Sequence, residues 1–244
     1  MELTLKYYHY FGSSGKELGE NLNTSGSWDV LRTKEGVEGD FYISDDRRAW
    51  QNIALNNNML KVQAADIVNV ISPEFNSIHS FGVGAAHLEF LIKRKCPSLA
   101  MKCSDFTPHG IERLKKVFVE AEEITIFDML KGDWPTMDAG HICLLYRVDT
   151  VFDDSQWREV LRKMNAAGIK NILFIPSDVL TVRKILYQLF KYVVFRGFRR
   201  EMIFSGYLRT RPRLESLFEE CYTVERTTRI GGLIGFFLKT RNGR

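Results

Sequence analysis

Two glycines, two aspartates and a methionine carry the first hint of chemistry in this sequence. Gly82 and Gly84 stand between a short apolar run, Ser77 to Phe81, and a segment with helical periodicity. Glycines at such a turn let the backbone approach a ligand closely and aim free helix N–H groups at it. Asp105 ends a second apolar run, about 20 residues further on, where a carboxylate can accept from both hydroxyls of a ribose. Asp128 and Met129 follow a third run, Glu123 to Phe127. There an acid can accept from an adenine amino group while the thioether packs on the ring. Each feature also has an ordinary structural explanation: a tight turn, a helix cap, a solvated loop acid. Their order is what joins them into one candidate site.

These residues need strands and helices to hold them, and the pattern supplies both. From Asn76 the chain alternates strand and helix. The strands are Ser77 to Phe81, Leu99 to Ser104, Glu123 to Phe127, His141 to Tyr146 and Asn171 to Ile175. Thr107 and Pro108 sit where a helix cap and a first-turn proline belong, and Asp154 or Ser155 suits the cap of the helix that Gly168 closes. Such alternation implies right-handed crossovers and a parallel sheet, so the class is α/β. The end of the chain changes rhythm. Ser177 opens a long helix with Val179, Val182, Leu186, Leu189 and Val193 on one face, a short helix runs from Pro212 to Cys221, and two strands around Gly231-Gly232 read as a hairpin. Before Asn76, Tyr7 to Asp40 reads as irregular loop, and Asp45 or Asp46 caps a helix that continues to Ile71 and ends at Ser72-Pro73. Two parts follow: an N-terminal extension or lid over 1–73, and a domain over 74–244 with a basic, aromatic insertion at about 178–211.

The run FGVGAAHLEFLIKRKCPSLAMKCSDFTPHGIERLKKVF resembles the first half of a class I, Rossmann-like methyltransferase dependent on S-adenosylmethionine (SAM), and the resemblance extends roughly from Glu74 to Arg241. It implies a mostly parallel sheet of seven strands with a C-terminal antiparallel hairpin, and SAM as cofactor. Gly82 and Gly84 match the glycine motif, Asp105-Phe106 the ribose-binding strand end, and Asp128-Met129 the adenine segment. Ser80 and Tyr146 complete the cofactor-binding set implied. The family usually has an acid where Ser80 stands, two positions before the first glycine, and a third glycine where Ala86 stands. Alanine is a small change that the helix tolerates, whereas Ser80 removes a carboxylate that helps to organise the methionine end of the cofactor.

Methyl transfer asks for in-line positioning and, for a hydroxyl acceptor, a base. In this fold the end of the fourth strand faces the methyl group, so the catalytic candidates are Tyr146 and Asp149. No base-amino tetrad follows that strand and no Pro-Cys pair exists. Asp149, Asp153 and Asp154 lack the partner a metal-dependent catechol site needs, so no metal is expected. A dinucleotide-type oxidoreductase would need its third glycine at His87, which is too bulky. The expectation is therefore an enzyme that methylates a small-molecule, lipid-linked or glycan-linked acceptor, with oxygen favoured, and a catalytically weak or inactive module as its rival.

Charge and composition bound the rest. The 244 residues carry a net charge of +4, with nine basic residues and one acid, Glu201, between Arg183 and Arg213. Interleaved aromatics make that stretch a candidate contact for an anionic substrate or membrane surface, or for RNA, which is the weaker reading. No run reaches the roughly 20 apolar residues of a membrane span, and Met1 to Tyr10 has no signal-peptide pattern. Cys96, Cys103, Cys143 and Cys221 are widely spaced, as suits reduced thiols in a cytoplasmic protein, peripheral to the membrane if the basic stretch docks there.

Overall fold

A computed structural model describes residues 1–9, 24–33, 41–72, 74–197 and 203–241. In chain order the elements are β1 (Thr4–His9), α1 (Ser25–Thr33), α2 (Arg47–Asn56), α3 (Asn58–Ile71), β2 (Ser77–Phe81), α4 (His87–Lys95), β3 (Ala100–Asp105), α5 (Pro108–Val117) and β4 (Glu123–Ile126). They continue with β5 (His141–Tyr146), α6 (Asp154–Ala166), β6 (Asn171–Ile175), α7 (Val182–Gly197), β7 (Ile203–Arg209), α8 (Arg211–Phe218), β8 (Tyr222–Ile230) and β9 (Leu233–Thr240).

The main sheet runs β4-β3-β2-β5-β6-β9-β8. The first five strands pair in parallel, and β9 and β8 close the sheet as an antiparallel hairpin. Strand order reverses between β2 and β5, so the carboxyl ends of those strands open the crevice in which α/β sheets hold ligands. Side-chain alternation along β2 divides the interior. Ile78 joins the core under α2 to α5, with Trp50, Leu88, Ile92 and Leu114. Phe81 joins the core under α6 and α8, with Trp157, Phe174 and Phe218. No helix links β4 to β5. Phe127, Met129, Leu130, Trp134 and Met137 of the connecting loop pack on the second core instead.

Several expectations are corrected in detail. The helix expected from Asp45 to Ile71 is two helices, because Asn57 turns extended (φ −87°, ψ 94°) and its side chain accepts from Leu60 N to start α3. The cap of α6 is Asp153, one residue earlier than expected, in a capping box with Gln156. The irregular N-terminal stretch contains α1, and its first residues form β1, which pairs antiparallel with β7 of the insertion. The rest of that stretch, 10–23 and 34–40, lies outside the described residues, as does Pro73.

The largest departure is α7. It begins at Val182, not after Ser177, whose N–H is taken by Asp149 Oδ1 at 2.5 Å. The stripe Val182, Leu186, Leu189 and Val193 exists, but it faces outward: Leu186 is 63% exposed, Phe190 68% and Val193 68%. Helical periodicity reports a shared face and not what covers it.

Candidate active site

The turn between β2 and α4 is left-handed three times over. Gly82 has φ +71°, Gly84 +57° and Ala86 +53°. A Cβ on Gly82 would run into Val148 Cγ1, and one on Gly84 would lie 2.5 Å from Arg32 Nη2. Both glycines are thus needed for backbone angle and for close approach. Ala86 corrects the expectation of a helical alanine. It caps α4 in the left-handed region without a side-chain bond, a conformation that costs a non-glycine residue about 1–2 kcal/mol.

Asp105 ends β3 beside this turn and is 3% exposed. Its Oδ2 accepts from Gly84 N at 2.9 Å, while Oδ1 accepts from Thr107 N at 3.0 Å and Thr107 Oγ1 at 2.7 Å. Thr107, expected to cap α5 with its own side chain, therefore turns its hydroxyl back on the acid and makes no capping bond. A carboxylate has about four acceptor positions, so Asp105 keeps capacity on Oδ2 for one more donor. Phe106, next along, is half-buried.

Arg32 of α1 lies across the turn. Its guanidinium carbon is 4.8 Å from the Trp28 ring centroid and 5.4 Å from that of Phe41, Nη1 donates to Phe41 O at 3.3 Å, and Nε is buried without a partner. Burial lowers its pKa, against the pull of Asp105 and Asp29. No cue to Arg32 is legible in the sequence, because its neighbours read as irregular loop.

Asp128 is half-buried after β4, where Oδ1 accepts from Leu130 N at 2.9 Å and Lys131 N at 3.2 Å. That bonding shapes the loop so that Met129 is buried, its Cε 3.7 Å from where a Gly82 Cβ would stand. The glycine turn, Asp105 and Met129 therefore meet at the ends of three adjacent strands.

Ser80 has an unexpected partner. Its Oγ donates to Glu89 Oε1 at 2.8 Å, in a buried contact between β2 and the first turn of α4. Burial raises the Glu89 carboxyl to about 7, with the Ser80 bond opposing and Asp105 reinforcing the rise. A glutamate in a run of helix-forming residues carries no sequence signal of this role. Its position becomes visible only once α4 is laid on β2.

The catalytic candidates are engaged elsewhere. Tyr146, at the end of β5, donates its hydroxyl to Gln63 Oε1 of α3 at 2.7 Å, and burial raises its pKa. Asp149 is buried in the next loop, where desolvation lifts its carboxyl to about 6 against bonds from Ser177. Its Oδ2 has no partner, and its backbone oxygen accepts from Trp157 Nε1 at 3.0 Å and Arg209 Nη1 at 2.6 Å. His79 stacks on Phe81 with ring centroids 4.0 Å apart, and His87 lies 5.6 Å from Trp50; burial lowers each to about 4. Among the described residues no three His, Cys, Asp or Glu side chains converge as metal ligands, and Asp153 and Asp154 serve as a helix cap and a partner of Arg209.

No family model matches the chain, and no curated relative does. Solved structures do match. Human N-acetylserotonin methyltransferase in complex with SAM aligns at a TM-score of 0.58 and 19% identity, over 88% of this chain and 58% of that one. The mitomycin 7-O-methyltransferase MmcR aligns at 0.61 and 14%, over 93% and 67%. The fold is that of a class I methyltransferase. A third example of this methyltransferase fold, an O-methyltransferase family 2 protein from Planctomyces limnophilus in complex with apigenin, aligns at 0.54 and 13%, over 88% and 66%. The chain spans only 58% of the length of the human protein.

Proposed function

We propose that this protein binds SAM at the β2–α4 turn and transfers its methyl group to a small acceptor, with oxygen as the favoured atom. The observation that carries the reading is the meeting of the Gly82–Gly84 turn, Asp105 and Met129 at the switch point of a methyltransferase sheet. The residues fit the cofactor. The left-handed glycines shape the turn that presents Gly84 N to Asp105, Asp105 Oδ2 retains capacity for a ribose hydroxyl, and Met129 offers an apolar surface beside Asp128 for adenine. SAM would supply an electrophilic methyl group on a sulfonium; the chain's part is to orient it and exclude water. Isothermal titration with SAM and with its demethylated product tests the reading, and absence of binding at millimolar concentration defeats it.

A second reading, a module that binds the cofactor without turnover, draws on the catalytic candidates. The Tyr146 hydroxyl is committed to Gln63, and Asp149 is buried under the loop it organises. Methyl transfer from radiolabelled SAM to any phenolic or hydroxylated acceptor rejects that reading.

The acceptor class can be taken one step further. α7 carries its exposed apolar stripe together with Arg183, Lys184, which pairs with Asp178, and Lys191, which lies 5.8 Å from the Tyr7 ring centroid. This favours an acceptor or a docking surface that is anionic and lipid-like, so the protein would work peripherally at a membrane. No helix among the described residues is long and apolar enough to cross one.

A further inference from the structure

One buried charge near the glycine turn lacks a counter-charge. Glu89 is 2% exposed, and its carboxyl accepts from the Ser80 hydroxyl and from its own backbone N–H. Among the described residues no lysine, arginine or histidine forms an ion pair with it. The groups it faces are Ser80 of β2, Cys103 and Asp105 of β3, and Tyr146 of β5, none of them cationic. An ionised carboxylate held by neutral donors in a buried site is costly, and a cation delivered by a ligand would offset that cost.

The chemistry of the ligand says which cation. A sulfonium has no N–H or O–H to give, whereas an ammonium carries three donors that match carboxylate lone pairs. The location agrees. Glu89 reaches back to Ser80, the position at which the methyltransferase pattern places its acid, so the missing carboxylate returns to the same spot from the helix instead of the strand.

We propose that Glu89, positioned by Ser80, receives the α-ammonium group of the cofactor's amino-acid end and so selects ligands that carry one. The proposal rests on the SAM reading above. A neutral Glu89 would forgo this contact, so the preference for an ammonium-bearing ligand strengthens as pH rises through the Glu89 titration. The Cys103 thiol, the Tyr146 phenol and both nearby histidines hold their charge state in that window. Burial keeps the Cys103 thiol and the Tyr146 phenol protonated well above it, and His79 and His87 stay neutral above about 4.

Two nucleoside thioethers separate the possibilities. S-adenosylhomocysteine carries the amino-acid end and 5′-methylthioadenosine lacks it. Binding of both is measured by calorimetry, to the wild type and to Glu89→Gln, from pH 5.5 to 7.5. The expected result is that E89Q binds S-adenosylhomocysteine at least tenfold more weakly and methylthioadenosine unchanged. The wild-type preference for the former grows with pH, and that of E89Q does not. Adding Ser80→Asp to E89Q restores the preference, a gain that a purely structural role for Glu89 would not produce. Equal effects of E89Q on both ligands, or none, overturn the proposal while leaving the SAM reading intact. A wild type that binds neither ligand defeats both. If E89Q does not fold, the wild-type pH series decides alone: a flat preference overturns the proposal.

Discussion

The β2–α4 region and the α7–β7 insertion are built on opposite terms. Around the glycine turn the side chains are buried and committed: Ser80 to Glu89, Asp105 to Gly84 and Thr107, Tyr146 to Gln63. In α7 large apolar side chains stand in solvent beside basic residues, of which Lys184 pairs with Asp178. The first region has a fixed geometry suited to one rigid ligand. The second presents area and charge with little shape, which suits a deformable partner. The difference teaches that precision and exposure are divided between a site on the sheet and a surface beside it.

Arg209 anchors the second region to the loop after β5, and breaking that joint has the largest expected effect. Its side chain is 0% exposed; Nε donates to Asp154 Oδ1 at 2.7 Å, Nη1 to Asp149 O and Nη2 to Phe152 O, both at 2.6 Å. It thus ties β7 to the loop after β5. Replacing Arg209 by Met removes the donors and strands buried acceptors, at a cost of about 3–5 kcal/mol. Urea unfolding checks this; a loss below about 1 kcal/mol would show that β7 is held by its backbone bonds to β1, Thr150 and Leu180.

Next in size is the pH dependence that Glu89 imposes. Its folded carboxyl is raised from 4.5 to about 7, so the folded state binds the proton more tightly than the unfolded chain. Its contribution is therefore most favourable below 4.5 and declines as pH rises to 7, a swing of about 3 kcal/mol. E89Q carries no such charge. The stability gap between E89Q and wild type should widen in favour of the variant between pH 5 and pH 8, as read from denaturation midpoints. A gap that stays constant would mean that Glu89 is solvated when charged and that the region is less rigid than argued.

These two predictions involve residues of unequal legibility. The order of Gly82, Gly84, Asp105 and Met129 is readable because it follows strand ends, and strand ends follow apolar periodicity. Glu89, Gln63 and Arg32 are not readable, since each reaches the site from another element by a contact that only packing creates. Asp149 illustrates the converse: its type and position suit a base, yet Ser177 N and burial give it a structural setting. The stripe on α7 shows the limit of periodicity itself. The same spacing marks a core helix and an exposed one, and only what packs on the face, nothing among the described residues for this stripe, tells them apart.

A smaller effect is expected at the glycine turn. Gly84→Ala would keep φ at +57° and place a methyl against the Arg32 guanidinium. The backbone term is about 1–2 kcal/mol. The steric term is modest, because the far end of a flexible side chain can move. Displacing Arg32 changes what lies on the turn, so the informative readout is affinity for S-adenosylhomocysteine beside thermal stability. Weaker binding at a matched temperature below the transition supports close approach of the ligand backbone. Unchanged binding would reduce Gly84 to a turn residue.

The smallest effect on stability belongs to α7, and it sharpens the comparison most. Leu186→Glu with Phe190→Glu places two charges on side chains that are already 63% and 68% exposed. Substitutions at such positions stay within about 0.5 kcal/mol, so the fold and the β2–α4 site should be untouched. Adsorption to a membrane surface would not be. An exposed apolar stripe beside Arg183, Lys184 and Lys191 gains from burial among acyl chains and from anionic headgroups together. Co-sedimentation with vesicles of phosphatidylcholine and phosphatidylglycerol should therefore be strong for the wild type, weaker without the anionic lipid or at high salt, and lost in the double variant. Equal pelleting of wild type and variant would place the contact elsewhere. No pelleting of either would mean that the stripe serves a soluble, apolar acceptor, and the division of labour between the two regions would then lie within the pocket itself.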